Sequence, residues 1–378
     1  MSRMRRLGMW TCAALLSVGP ALATDSGPIP LTRLSLGEIG GWIEVVVSVN
    51  GRPGRWLIDT GSTRHIITRA FAERHGLVSR SVVRADTAIG VVQGSEVTLP
   101  VLSLGKFDHA GQTALRVDDL QTLVGPAGEG LDGILGVPLL RGVLFDLDLQ
   151  RWTLAISSAL SGDCPADTEA LPLGSHRGLP VIELRVNDGA AEAMLLDTGN
   201  PAAVVRVTAD GPDATEPGLA VGAGARLALA RQVTAGAWQR ANVPVMQLRA
   251  PGLQRALAPR IAGLAGTALL DGTRWQIQLD QHRACVAHGS VVMPGGFGLT
   301  LVQRFGALHI DTVLPGGPAH AAGLRAGEVV QRWAGGSASG PMRELWARVQ
   351  GQDEIELQVG TDALVLRLKR AHFAPRLP

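Results

Sequence analysis

A long internal repeat constrains this chain more than any other feature. The run Trp42-Ile43-Glu44-Val45-Val46-Val47-Ser48-Val49-Asn50-Gly51 leads to Trp56-Leu57-Ile58-Asp59-Thr60-Gly61-Ser62. Its echo, Pro180-Val181-Ile182-Glu183-Leu184-Arg185-Val186-Asn187-Asp188-Gly189, leads to Met194-Leu195-Leu196-Asp197-Thr198-Gly199-Asn200, with the two Asp-Thr-Gly triplets 138 positions apart. Each copy reads as strand, tight turn, strand and polar loop, because Asn-Gly and Asn-Asp-Gly between β-rich runs signal a hairpin. A second pair of motifs follows in the same order. Asp132-Gly133-Ile134-Leu135-Gly136 precedes Leu139-Leu140-Arg141-Gly142, and Ala262-Gly263-Leu264-Ala265-Gly266 precedes Leu269-Leu270-Asp271-Gly272. Two features recurring in one order predict two similar halves, at about 30–160 and 165–290.

Between the motifs run β-prone stretches such as Ala85 to Leu104 and Gly218 to Val233, with no sustained helical period. The halves are therefore predicted to be all-β, with one short helix each near Leu139-Leu140 and Leu269-Leu270. A chain of 378 residues with 46% apolar composition has material for more than one core.

The chemistry lies in the paired acids. Asp59 and Asp197 each follow an apolar pair, Leu57-Ile58 and Leu195-Leu196, so each carboxylate stands where a buried strand emerges into a loop. Glycine permits a tight backbone there, and the threonine hydroxyl can hold the loop. Two carboxylates brought close cannot both ionise cheaply, so they share a proton and can act as base and acid on one water.

These motifs resemble those of aspartic peptidases, retropepsin-like or pepsin-like, with two lobes fused in one chain over about 30–290. The resemblance implies a bilobal acid-protease fold, a catalytic dyad of Asp59 and Asp197, and loops supported by Thr60, Gly61 and Ser62 and by Thr198, Gly199 and Asn200. It implies no cofactor and no metal, and peptides or unfolded proteins as substrates. It also implies a flap, for which the hairpin around Ile89, Gly90 and Val91 is the candidate, with Ala220 to Ala225 as a weaker second. The chain has no Tyr, so the flap tyrosine of pepsin-like enzymes is missing. Asn200 stands where pepsin-like members carry Ser or Thr, and its hydrogen bonding is expected to tune the acid pair. A folded but inactive pair, leaving a peptide-binding scaffold, is the alternative reading.

From Met293 the pattern changes. Gly296-Phe297-Gly298-Leu299 opens a strand, and Pro315-Gly316-Gly317-Pro318-Ala319-His320-Ala321-Ala322-Gly323-Leu324 follows Ile310 to Leu314. This region, 293–371, resembles a small α+β PDZ domain, which implies that Gly296, Phe297, Gly298 and Leu299 form a loop for a peptide C-terminus. Pro341 can start a helix with Met342, Leu345, Trp346 and Val349 on one face, read as core rather than groove.

Arg3, Arg5 and Arg6, an apolar run from Leu7 to Val18 and Ala21-Leu22-Ala23 form a signal-peptide pattern, 1–23, cut before Thr24. An exported, periplasmic protein is expected, with secretion or an uncleaved anchor as alternatives. Export leaves Cys164 and Cys285 to pair as a disulfide or to stay as buried thiols, and the sequence leaves both open. Without the leader, 32 Lys+Arg face 33 Asp+Glu, which gives no basic surface for nucleic acid. Gly128-Glu129-Gly130-Leu131-Asp132-Gly133 fits G-x-G-x-x-G but follows no strand, and the nine His form no metal-binding spacing. Asp132 is read as a loop cap.

Overall fold

A computed structural model describes residues 25–35, 41–87, 90–158, 162–208, 219–220, 225–257, 259–287, 295–360 and 365–372. The leader and its cut site, Ile89 of the flap candidate, and Val221 to Gly224 of the second-half hairpin lie outside the described residues.

Period-two burial builds the first hairpin. Along strand Trp42–Val49 the side chains of Ile43, Val45, Val47 and Val49 are buried while Val46 is 55% exposed. The chain turns at Asn50 and Gly51, at φ 50° and 75°, the left-handed pair that Asn and Gly adopt most readily. The return strand, Arg52–Ile58, changes character: Trp56, Leu57 and Ile58 are all buried. Only a strand covered on both faces sustains such a run. Trp56 and Ile58 join the main core, whereas Leu57 faces a second cluster with Ile66, Leu115 and Ile134.

The in-sheet neighbour of this strand is the second repeated motif. Trp56, Leu57 and Ile58 pair in parallel with Gly133, Ile134 and Leu135. In the second half Met194, Leu195 and Leu196 pair in parallel with Gly263, Leu264 and Ala265. The two motifs, far apart in sequence, are thus strand neighbours in each half.

The expected short helices are present as a 3-10 turn, Val137–Leu140, and an α-helix, Thr267–Leu270. Helices Arg69–Arg74, Gln121–Val124 and Pro251–Leu257 were not legible in the sequence, because four to seven residues are too few to display a helical period. Arg69–Arg74 is started by Thr68, whose Oγ1 accepts the Phe71 N–H at 3.1 Å.

The two halves do not end where their sheets end. A thirteen-stranded sheet of the first half takes in Thr168–Pro172, Arg274–Gln278 and Arg283–Ala287 from the second. Strand Arg274–Gln278 pairs antiparallel with Leu144–Asp148, placing Trp275 opposite Leu147 and Ile277 opposite Phe145. One hydrophobic core therefore runs through both halves. Cys164 and Cys285, 121 positions apart with Cα atoms at 5.4 Å, form a disulfide that ties the approach to Thr168–Pro172 onto this shared sheet. An eight-stranded sheet makes up the rest of the second half.

The C-terminal region forms its own six-stranded sheet with Leu299–Arg304 at one edge. Its helix Met342–Ala347 buries Met342, Leu345 and Trp346, and Val349 just beyond is buried as well. The helix also docks on the first half. The Arg343 guanidinium pairs with the buried Glu44 (Nη1 to Oε2 2.8 Å), and the Met342 N–H donates to Glu129 Oε2 at 3.0 Å. The Trp346 ring lies 5.8 Å from that of Trp42. Among the described residues no helix is long and apolar enough to cross a membrane.

Candidate active site

Each aspartate stands one residue beyond a buried strand, and the neighbouring strand fixes its backbone. The Asp59 N–H donates to Leu135 O and the Asp197 N–H to Ala265 O, both at 2.9 Å. The loops then fold back in the same way. Gly61 N–H donates to Asp59 Oδ1 and Gly199 N–H to Asp197 Oδ1, again both at 2.9 Å. Ser62 O accepts from Val137 N–H at 2.8 Å, and Asn200 O accepts from Thr267 N–H at 2.9 Å.

The glycines are required by close approach. A Cβ on Gly61 would sit 2.5 Å from Asp197 Cγ, and one on Gly199 would sit 2.5 Å from Asp59 Cγ. Each loop's glycine is thus the floor against which the opposite carboxylate rests. Gly136 and Gly266 leave room for the loop backbone itself, since a Cβ there would meet Arg64 O at 2.2 Å and Asn200 O at 2.3 Å.

The threonines point away from the acids and lock the loops together. Thr60 Oγ1 donates to Leu196 O at 2.5 Å and accepts from Thr198 N–H at 3.0 Å. Thr198 Oγ1 donates to Ile58 O at 2.9 Å and accepts from Thr60 N–H at 3.0 Å. Both threonines are fully buried, so every group in this exchange is satisfied inside the protein.

The carboxyls of Asp59 and Asp197 lie against each other's loops and influence one another's protonation. Protein surrounds both, although each keeps some surface toward the cleft. Burial pushes both carboxyls above the ordinary carboxylate range, Asp59 well above it, where the neighbouring Asp197 charge adds to the effect. At Asp197 the Asp59 side chain and the N–H groups of Gly199, Asn200 and Gly61 pull the other way. Two full charges about 4 Å apart would repel by about 4 kcal/mol at an effective dielectric of about 20, so the pair holds one proton between them.

The carboxylates open into a cavity of about 250 Å³. Ile66, Leu115 and Ile134 wall it from the first half, and Leu195, Leu257 and Leu264 from the second. Arg64, His176 and Arg177 stand among the lining residues; Arg64 is paired with Glu96 at 3.2 Å, and His176 Nε2 lies 3.3 Å from Ala256 O. The flap candidate belongs to a long hairpin, Ser79–Thr87 with Gly90–Leu104, in which Thr87 pairs with Gly90 and Asp86 with Val91. Its first strand approaches helix Pro251–Leu257 of the second half.

At positions 200 and 62 the support comes from the backbone rather than from the side chains. The Asn200 side chain does not reach the acid pair: its Oδ1 accepts the Ala202 N–H at 3.2 Å, and it is the Asn200 backbone N–H that bears on Asp197. Ser62 behaves alike, its Oγ donating to Arg64 O at 2.8 Å while its backbone N–H serves Asp59. A loop this tight leaves side chains no path to a carboxylate that backbone amides already cover. Asp132 does cap a loop, its Oδ2 accepting the Arg55 N–H at 3.0 Å. In the C-terminal loop Phe297 and Leu299 are buried, Phe297 O accepts from Ala319 N–H at 2.8 Å, and Gly298 O accepts from Leu314 N–H at 2.8 Å. Gly296 pairs with Ala371 at the unit's margin. Among the described residues no three His, Cys, Asp or Glu side chains are grouped to hold a metal ion.

Sequence reasoning missed Trp42, whose indole N–H donates to Gly199 O at 3.0 Å. It also missed His65, fully buried, whose Nδ1 accepts the Gly136 N–H at 3.2 Å. Neither contact leaves a trace in local pattern. A family model for aspartyl proteases matches residues 45–139, from the first repeated strand through the first glycine motif. No curated protein matches the chain.

Proposed function

We propose that the chain is an aspartic endopeptidase in which Asp59 and Asp197 activate one water against a peptide bond. The observation that carries the reading is the pairing of two carboxylates, each resting against the other loop's glycine, on loops locked by reciprocal threonine hydrogen bonds beside an apolar cleft. The anionic member takes a proton from the water as its oxygen attacks the peptide carbonyl. The protonated member gives its proton to the carbonyl oxygen. A neutral tetrahedral diol results, and it collapses when the amide nitrogen is protonated and leaves as an amine. Every proton moves between the two acids, the water and the substrate. The apolar walls favour substrates with large apolar side chains beside the scissile bond, and the flap hairpin closes over them to exclude water.

The C-terminal unit, in this reading, is a PDZ domain that captures peptide C-termini at Gly296 to Leu299, with Leu299–Arg304 accepting the peptide as an added strand. Residues 1–23 direct export, so the peptidase works in the periplasm. The test is cleavage of fluorescein-labelled, unfolded casein from pH 3 to 8, with and without pepstatin. Peptide binding without turnover at any pH would replace this reading with a scaffold.

A further inference from the structure

The two loops match except at one point. Trp42 reaches across from the first half to place its indole N–H on Gly199 O at 3.0 Å. The residue at the matching position of the second copy, 138 places on, is Pro180, which has no N–H to offer Gly61. One peptide plane contains both the Gly199 carbonyl and the Asn200 N–H. A donor on the carbonyl therefore fixes the direction of that amide, which donates to the Asp197 backbone O at 3.1 Å, and holds Gly199, whose own N–H donates to Asp197 Oδ1 at 2.9 Å.

Trp42 is itself held. Its ring packs on Trp346, which is 4% exposed, and Glu44, two residues along the same strand, is paired with Arg343. Both partners lie on the C-terminal helix Met342–Ala347. The C-terminal unit thus reaches the Gly199 carbonyl through Trp42.

We propose that Trp42 is a positioning residue that makes the pair unequal: by pinning the Gly199–Asn200 peptide plane it keeps Asp197 anionic, so Asp197 takes the proton from water and Asp59 supplies the one given to the substrate, and Trp346 keeps Trp42 in place. The inference rests on the peptidase reading above. Each carboxylate takes one backbone N–H, Gly61 on Asp59 Oδ1 and Gly199 on Asp197 Oδ1, both at 2.9 Å, and of these two glycines it is Gly199 whose carbonyl Trp42 holds. The other charged or titratable side chains lining the cavity are Arg64, neutralised by Glu96, together with His176 and Arg177. On the Trp42 side stand Glu44 with Arg343 and, from the neighbouring strand, Arg33 with Asp271 at 2.5 Å.

Trp42→Phe keeps an aromatic side chain and removes the N–H donor. With labelled casein as substrate, the acidic limb of its kcat/KM profile is expected to move up by about one pH unit, a tenfold change in proton affinity. Hydrogen exchange of the segment containing Asn200 should quicken about tenfold. Trp346→Leu should shift both readouts in the same direction, and the double variant should add little to Trp42→Phe. An acidic limb and an exchange rate identical to the parent protein in both single variants would overturn the proposal. A parent protein that cleaves casein at no pH from 3 to 8 would instead overturn the peptidase reading beneath it.

Discussion

Thr60 and Thr198 exchange the same hydrogen bonds in opposite directions, each hydroxyl accepting the other's N–H at 3.0 Å and donating to the carbonyl that precedes the other's aspartate. The arrangement sets the two carboxylates face to face before any substrate arrives. Thr60→Val keeps the shape and leaves the Thr198 N–H and Leu196 O unpaired in a buried site, at a cost of about 1 to 3 kcal/mol for each. Urea unfolding should show that loss together with a fall in activity, and Thr60→Ser should recover most of both. Equal stability in Thr60→Val would separate the exchange from the fold.

Asp59→Asn and Asp197→Asn each remove a proton carrier while preserving shape. Each is expected to lower casein cleavage at least about 100-fold. Melting temperatures should hold or rise, because each change removes a buried acid that shares a proton under strain of like charge. Cleavage that survives either substitution would point to another nucleophile.

Gly61→Ala places a methyl group 2.5 Å from Asp197 Cγ. Contacts that short are not tolerated, so the acids must separate and turnover should vanish while the far-UV circular dichroism spectrum stays that of the parent. Gly199→Ala, its counterpart against Asp59, should behave identically. A control at Gly76, where a Cβ meets nothing within 4 Å, can cost stability through its φ of +63° and should spare activity.

Burial lowers the His65 pKa from 6.5 to about 4. Between those values the unfolded chain binds a proton that the folded one refuses, so this residue's contribution to stability falls as pH drops below 6.5 and is fully lost below 4, about 3 kcal/mol in all. The acid pair acts in the opposite sense, since its raised pKa values favour the fold at low pH and lose that advantage as pH rises. The His65 share is therefore read as the difference between parent and His65→Gln in urea unfolding. That difference should shrink from pH 7 to pH 4, and a constant difference would show that His65 does not titrate in this range.

The Cys164–Cys285 bond closes a 121-residue separation. Constraint of the unfolded chain alone predicts a loss of up to about 5 kcal/mol when both are replaced by serine. Denaturant midpoints with and without reductant measure it directly.

The repeat made the acids legible: a strand that ends in Leu57-Ile58 or Leu195-Leu196 must deliver the following Asp to a loop, and the same order of motifs twice implies two such loops. Asn-Gly at 50–51 likewise announced its hairpin. What stayed hidden depends on contacts between segments far apart in the chain. Nothing near Trp42 shows that its indole meets Gly199, 157 positions away. Helix Pro251–Leu257 and the joining of Arg274–Gln278 to Leu144–Asp148 were hidden for the same reason, since a pairing across the halves has no local signature. The face Met342, Leu345, Trp346 and Val349 could be read as buried, but its partner on the first half could not.

The ladder between Arg274–Gln278 and Leu144–Asp148 has one more implication. A site assembled from separate subunits falls apart on dilution and must carry every substitution in duplicate. Here the assembly is intramolecular, so specific activity should be the same at nanomolar and micromolar enzyme, and each side of the cleft is free to acquire residues the other lacks.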